Sequence, residues 1–518
     1  MTTYKFLAVS AIFALLSTGL YNFIPKARRY LLLLALSFCA IIALSGFGSI
    51  YILITSITTY AAGIFIDKLG ARVKASQLPK EEKKKLKAKI KNQKKLVILF
   101  YVIINLGILA IIKYFNLFSS SAVSFLNLFN LELNAPTINI LMPLGISYYT
   151  LIALSYVIDV FRGKFKAEKN PLKVALFVMF FPQLQEGPFN RFDELSNQIN
   201  AADDVSLKSL YAGGARILWG LFKIFMIANR ASIISDAIFT SYKSYGSFTV
   251  ILAAIAFIIQ LYAEFSGYID IAHGISNIFN IKLCENFDMP FISQSVAEFW
   301  RRWHISLGSF FRDYVFYPVS TSKALRKLTK PLSFNLANNF TLVISLLAVW
   351  FLTGLWHGAS WKYVFYGLYY FVIIVSSALT ENIREKLYAK LKINPQANFL
   401  KCVRIIRTFL LILIGMLMFR APDMNTFFFM MSSLIKVGEP FHILAAIDGY
   451  DLLVLIICVL ILIASAILKL KGINLQKKFD TLENYQKYLY CLFMFFVIVI
   501  FGAYGFAYLP PDPIYGGF

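Results

Sequence analysis

Residues 338–361 read NNFTLVISLLAVWFLTGLWHGASW. From 338 to 356 the run is long and apolar enough to cross a bilayer, which takes about 20 residues. It then delivers a histidine, His357, between Gly354 and Gly358, two residues that let other groups approach closely. A titratable side chain at membrane depth is costly to keep and marks function more often than chance.

The rest of the chain has the same character. It is 518 residues long, 58% hydrophobic and only 15% charged; a soluble protein carries about 25% charged residues. Fifty Phe and 29 Tyr exclude disorder. Five scattered cysteines with no CxxC pair exclude a disulfide framework. The class that remains is an all-α polytopic membrane protein. Other spans are expected near 4–24, 30–45, 49–67, 96–113, 138–160, 248–272, 360–379, 402–419, 450–468 and 488–508. The first of these has no basic region ahead of a small-residue cleavage pattern, so it reads as a retained span, not a removable signal peptide.

The net charge of +24 falls unevenly between the spans. Arg72 to Lys95 holds eleven basic residues against two acidic ones, and 162–173, 323–330, 384–407 and 469–487 are also basic. Ser45–Gly48, Tyr114–Ile138 and Leu509–Phe518 carry no positive charge, and Asp423–Asp448 carries only Lys436. Basic loops stay cytoplasmic. The two kinds alternate if both termini are extracytoplasmic, which requires one more crossing between Lys173 and Lys323, where 172–240 and 283–318 are ambiguous. Nucleic-acid binding is not indicated, because the Lys-rich 72–95 run holds no aromatic residue; it suits a helix on anionic lipid.

Polar residues gather in the middle third, in FFPQLQEGPFNR (180–191), AEFSGYIDIAHG (263–274), EFWRRWHISL (298–307) and the 351–361 stretch. The prolines and glycine of the first suggest either an interfacial loop or a re-entrant element. In the second, Glu264 and Tyr268 share a helix face, and Asp270 and His273 are three apart. In the third, Trp300 and His304 are expected one turn apart on one helix face. Only four histidines exist, and 273, 304 and 357 all lie here. A buried neutral imidazole suits a general base near pH ~7. Acyl transfer from a thioester to a hydroxyl needs that base and donors for the oxyanion. No HExxH, GxSxG or Walker A motif is present, and no metal site is expected.

EFWRRWHISLGSFFRDYVFYP (298–318) and LTGLWHGASWKYVFYGLYY (352–370), supported by PLGISYYTLIALSYVIDVFRGK (143–164), FFPQLQEGPFNR and EFSGYIDIAHGIS (264–276), resemble the membrane-bound O-acyltransferase family. Within it the chain looks like the bacterial branch of alginate O-acetyltransferases and teichoic-acid D-alanylation proteins. The resemblance implies roughly 12 transmembrane helices with re-entrant segments around a central funnel, in the bacterial cytoplasmic membrane. It implies an acyltransferase core over 1–420, with the basic loop 70–96 in the cytoplasm, and a C-terminal transmembrane extension over 421–518. His357 is then the catalytic base and His304 the second functional histidine. Trp303, Arg302, Arg312, Asp313, Tyr314, Asn190, Arg191, Tyr268, Asp270 and Trp356 follow as chamber or substrate-binding residues. His273 departs from the family pattern and receives no role. No cofactor is expected to stay bound. The resemblance implies acetyl-CoA or another acyl thioester as donor, an exported polysaccharide or cell-wall glycan as acceptor, and an SGNH-type extracytoplasmic partner. The charge of Arg301, Arg302 and Arg312 beside His304 is the expected docking point for the donor's phosphates.

The chain's length beyond His357 resembles the O-acetyltransferase type. The alternative within the family is D-alanyl transfer to teichoic acid from a carrier-protein thioester. Outside it stand a polysaccharide or lipid transporter without acyl chemistry and a structural scaffold; a scaffold has no need of costly His and Arg in its core.

Overall fold

The computed structural model describes residues 3–140, 142–184, 186–436, 438–439, 441–505 and 508. The loop Leu509–Phe518, Phe506 and Ala507 of the last expected span, and Gln185 of the 180–191 stretch lie outside the described residues. Among those described, the chain is helical throughout, with β-structure confined to isolated bridges. Ten helical segments are long and apolar enough to cross a membrane. The chain is a multi-pass membrane protein.

The segments differ in detail from the expected spans. The additional crossing sought between Lys173 and Lys323 has a candidate in Leu207–Thr240, whereas 283–318 forms only short helices. The expected 138–160 span begins late, at Ile146. Pro143 interrupts the run, and Gly145 takes a left-handed φ of 69° where an added Cβ would strike the Leu184 carbonyl oxygen. The candidates at 30–45 and 49–67 appear as helices α1 (Arg29–Ser45) and α2 (Ser49–Ala75), separated only by Gly46–Gly48.

The chain divides into two compact units, one running to Gly213 with Ala272–Cys284, the other comprising Gly214–Ile271 and the chain from Glu285 onward. In the first unit, α2 packs on α3 (Lys80–Leu109) and α4 (Ile146–Arg162). Lipid tails are as apolar as leucine, so small and hydrogen-bonding residues hold such contacts together. Thr59 meets the Tyr101 hydroxyl at 3.1 Å, Asn105 donates to Thr58 at 3.0 Å, and an added Cβ on Gly63 would lie 2.8 Å from the Tyr156 ring. After a short helix, Pro171–Met179, residues 180–184 and 186–190 are buried and, apart from one helical turn at Phe181–Gln183, irregular.

In the second unit the elements that matter for the site are α5 (Leu207–Phe222, entering from the first unit), α6 (Ser247–Ile278, whose last turns belong to the first unit), and the short helices α7 (Val296–Arg302) and α8 (Ile305–Phe311). They are followed by α9 (Phe334–His357), α10 (Trp361–Leu379), α11 (Glu381–Lys390) and α12 (Asn398–Arg420). The helices after residue 421 are tied into this unit by Arg230. That buried guanidinium pairs with Asp451 at 2.8 Å and donates to the Phe501 carbonyl at 2.6 Å.

Candidate active site

Residues 338–361 form most of α9 and, after a three-residue turn, the start of α10. The two helices pack closely against each other. Glycines permit it: an added Cβ on Gly354 would lie 3.0 Å from Val364 Cα and strike the Tyr363 carbonyl oxygen, and one on Gly367 would strike the carbonyl of Trp350. With the backbones this close, His357, the last residue of α9, is pressed against α10 and α12. Its ring centroid lies 5.6 Å from Tyr366 and 5.3 Å from Phe419, both edge to face, and it is 2% exposed.

His304 reaches the same place by another route. The expected single helix through 298–307 is not formed, so Trp300 and His304 do not share a helix face. Instead α7 ends at Arg302, Trp303 is extended, and His304 adopts a left-handed conformation (φ 50°, ψ 50°) that starts α8. Such a backbone costs a non-glycine residue about 1 kcal/mol or more and persists only where its surroundings impose it. Here they do. The Asn286 carbonyl accepts the Ile305 N–H at 3.1 Å and its side-chain Oδ1 accepts the Ser306 N–H at 3.0 Å. Asp288 N–H donates to the Arg302 carbonyl at 2.9 Å, and Phe287 bridges Trp303 in antiparallel fashion. Ser295 caps the start of α7 by accepting from Glu298 N–H. Strand-like pairing from 286–288 thus holds the kink that His304 needs.

The two histidines meet around Trp356. Its ring lies 5.0 Å from His357 and 5.5 Å from His304, and Phe265 of α6 closes the other side of His304 at 4.8 Å. His304 is 3% exposed. Burial first, and the neighbouring His357 imidazole second, pull its pKa well below the ordinary imidazole range. It is therefore neutral near pH ~7 and able to accept or relay a proton. An aromatic enclosure holding two imidazoles can remove a proton from a hydroxyl while excluding water. Among the described residues no three His, Cys, Asp or Glu side chains gather closely enough to hold a metal ion.

The other expected site residues divide into groups. Trp356 is in the site itself. Trp303 is buried among Tyr262, Phe265, Phe287, Phe291 and Phe299, and anchors the kink from behind. Arg302 is a strut of the same kink, bonded to Glu298 at 3.0 Å and to the Asp288 carbonyl at 3.2 Å. Arg312 is exposed and pairs with Asp313 at 3.0 Å, while Tyr314 rests on Phe310 at 4.9 Å. Tyr268 is buried on α6, and Asp270 is engaged by Lys223 and, at 2.5 Å, by Arg216. Asn190 and Arg191 belong to the first unit; Asn190 is buried, donating to Gln183 at 3.1 Å and accepting from Cys284 N–H at 2.9 Å. His273, also in that unit, lies 3.2 Å from the Cys284 carbonyl. Sequence reasoning missed Asn286 and Lys223. Both had a signal: an asparagine just ahead of the Phe-Asp-Met-Pro turn, and a lone lysine inside an apolar run.

The family model for membrane-bound O-acyltransferases matches residues 104–419, an interval that contains both histidines. The chain belongs to this family. It is an O-acyltransferase. Among its relatives, the probable alginate O-acetylase of Azotobacter vinelandii is 30% identical over 434 residues, 83% of this chain and 77% of that protein. The peptidoglycan O-acetyltransferase of Helicobacter pylori is 28% identical over 53% of this chain and 54% of its own length. The teichoic acid D-alanyltransferase of Bacillus subtilis is 30% identical over 59% and 71%.

Proposed function

We propose that this O-acyltransferase moves an acetyl group from a cytoplasmic thioester, acetyl-CoA, to hydroxyls of an exported polysaccharide or cell-wall glycan, with His357 as general base. The observation that carries the reading is the enclosed pair of imidazoles around Trp356. His357 takes the proton of the acceptor hydroxyl as its oxygen attacks the thioester carbonyl. A C–O bond forms, the C–S bond breaks, and the thiolate leaves with a proton returned by the imidazole. His304, held neutral, faces the same space as a second proton carrier. The named activities of the relatives, which act on alginate, peptidoglycan and teichoic acid, support a glycan acceptor. The charge map supports a cytoplasmic membrane location with both termini outside. An SGNH-type protein on the far side is the expected partner in finishing the transfer.

Surface glycans of the parent strain and of a deletion strain, analysed by NMR after feeding labelled acetate or labelled D-alanine, test the reading. Loss of O-acetyl groups on deletion is expected. Loss of D-alanyl esters with acetylation intact would replace acetyl by D-alanyl, and no change in either ester would favour a transporter.

A further inference from the structure

At the opposite end of α7 from His304, a cavity of about 640 Å³ opens among Gln294, Ser295, Arg384, Tyr388, Arg404 and Arg407. It lies wholly in the second unit, between the start of α7, α11 and the first turns of α12. Three guanidiniums converge on it, and each is held by an oxygen without formal charge. Arg384 donates to the Ser377 carbonyl at 3.4 Å, Arg404 to Gln294 Oε1 at 3.4 Å, and Arg407 to the Gln294 carbonyl at 2.9 Å. Arg404 also sits over the Tyr388 ring, 5.7 Å from its centroid. Arg384 and Arg404 act on Arg407 as like charges. The carboxylates of Glu381 and Glu385 line the cavity too, yet among the described residues no carboxylate closes an ion pair with any of the three arginines.

Three guanidiniums outnumber the two carboxylates around this cavity, and the surplus of positive charge favours an anion there. Planar guanidinium forks fixed in direction by their own hydrogen bonds suit phosphate oxygens. Of the arginines near His304, Arg302 is paired with Glu298 and Asp288, and Arg312 with Asp313. The cavity belongs to the basic 384–407 segment, which the charge pattern places in the cytoplasm. One short element, α7, with a rise of roughly 10 Å, joins it to the His304 kink.

We propose that this cavity is a phosphate-binding site that holds the phosphate-bearing end of the acyl thioester donor. The proposal rests on the donor reading given above. Anionic lipid headgroups share the chemistry, and the experiment separates the two sources.

The test uses the full-length protein in nanodiscs of phosphatidylcholine, with CoA as binding probe and two acetyl donors: acetyl-CoA, and the acetyl thioester of N-acetylcysteamine, which has no phosphate. In Arg384→Ala and in the double variant Arg404→Ala/Arg407→Ala, the CoA Kd and the acetyl-CoA KM are expected to rise about tenfold or more, with kcat changed less than about twofold. Turnover of the phosphate-free thioester should equal wild type, which also shows the variants to be folded. Wild-type turnover of acetyl-CoA with unchanged KM and Kd in the variants would overturn the site while leaving the donor reading intact. Unchanged CoA binding together with lost stabilisation by added phosphatidylglycerol would overturn it in favour of lipid. A wild-type protein that accepts neither thioester would overturn the donor reading itself.

Discussion

Two buried polar regions of the second unit follow opposite designs. Asp270 of α6 is held between Arg216 of α5 and Lys223, just past the end of α5; Ser266 accepts from Lys223 at 2.8 Å, and Glu285 engages Arg216 at 3.0 Å. Every charge there has an opposite partner. Around Trp356, His304 and His357 are instead walled by rings, and the hydrogen bonds of the region go to the backbone that sets their positions. Low polarity makes unpaired charge expensive in both places. One region answers by neutralising charges against each other, the other by keeping the buried His304 uncharged. The first ties α6 to its neighbours by opposite charges; the second sets its imidazoles among rings. A polar residue at membrane depth is thus a weak guide to function until its partners are known.

Breaking the charged region should give the largest effect. Asp270→Leu strands Lys223, leaves Arg216 with Glu285 as its carboxylate, and should cost about 3–5 kcal/mol, read as lost thermal stability in detergent, with acyl transfer per folded molecule retained. Lys223→Met combined with Asp270→Asn should recover much of that loss, because no lysine is left facing an uncharged partner. A double variant as unstable as Asp270→Leu would mean that packing, not charge balance, governs the region.

The histidine region should respond in rate more than in stability. Asn286→Ala removes the acceptor for Ser306 N–H and loosens the left-handed turn at His304. A cost of about 1–3 kcal/mol and a kcat reduced about tenfold are expected, with donor KM little changed. Asn286→Asp keeps the acceptor and should restore much of the rate. Its carboxylate beside the imidazole should also move the acid limb of the pH–rate profile upward. Equal losses in both variants, without a pH shift, would reduce Asn286 to a packing residue.

The smallest effect concerns pH. In the unfolded chain His304 titrates near pH ~6.5; folded, its pKa is pulled well below that by burial and by His357. Between the two values the unfolded chain binds the extra proton. Stability should therefore fall as pH drops below ~6.5 and level off once the folded imidazole also protonates. His304→Phe should flatten that acid-side slope in melts recorded at several pH values. A slope identical to wild type would place the titration elsewhere.

Much of the fold was legible because lipid imposes simple rules. Apolar runs of helix length gave α10 nearly to the residue and the C-terminal ends of α9 and α12, whose first turns at Phe334 and Asn398 lie ahead of the expected spans, and WHG marked the end of α9. The kink at His304 was not legible. A run of Trp, Arg and His without proline or glycine reads as continuous helix, and only strand-like pairing with Asn286–Asp288, distant in sequence, breaks it. The same limit hid the partners of Asp270, since Lys223 and Arg216 lie on another helix. It also hid the carboxylate partner of Arg302 and the contact of Arg312 with Asp313, two of the three arginines, with Arg301, expected at the donor's phosphates.

The central claim is that His357 performs acyl transfer inside an aromatic enclosure. Its most direct test is the single-turnover rate of acetyl transfer from acetyl-CoA to a glycan acceptor by purified full-length protein, comparing wild type with His357→Ala and with Lys223→Met/Asp270→Asn. The account predicts a loss of about 10²–10⁴-fold per folded molecule in His357→Ala, and near-wild-type transfer in the charge-removed variant. Transfer at the wild-type rate by His357→Ala would contradict it.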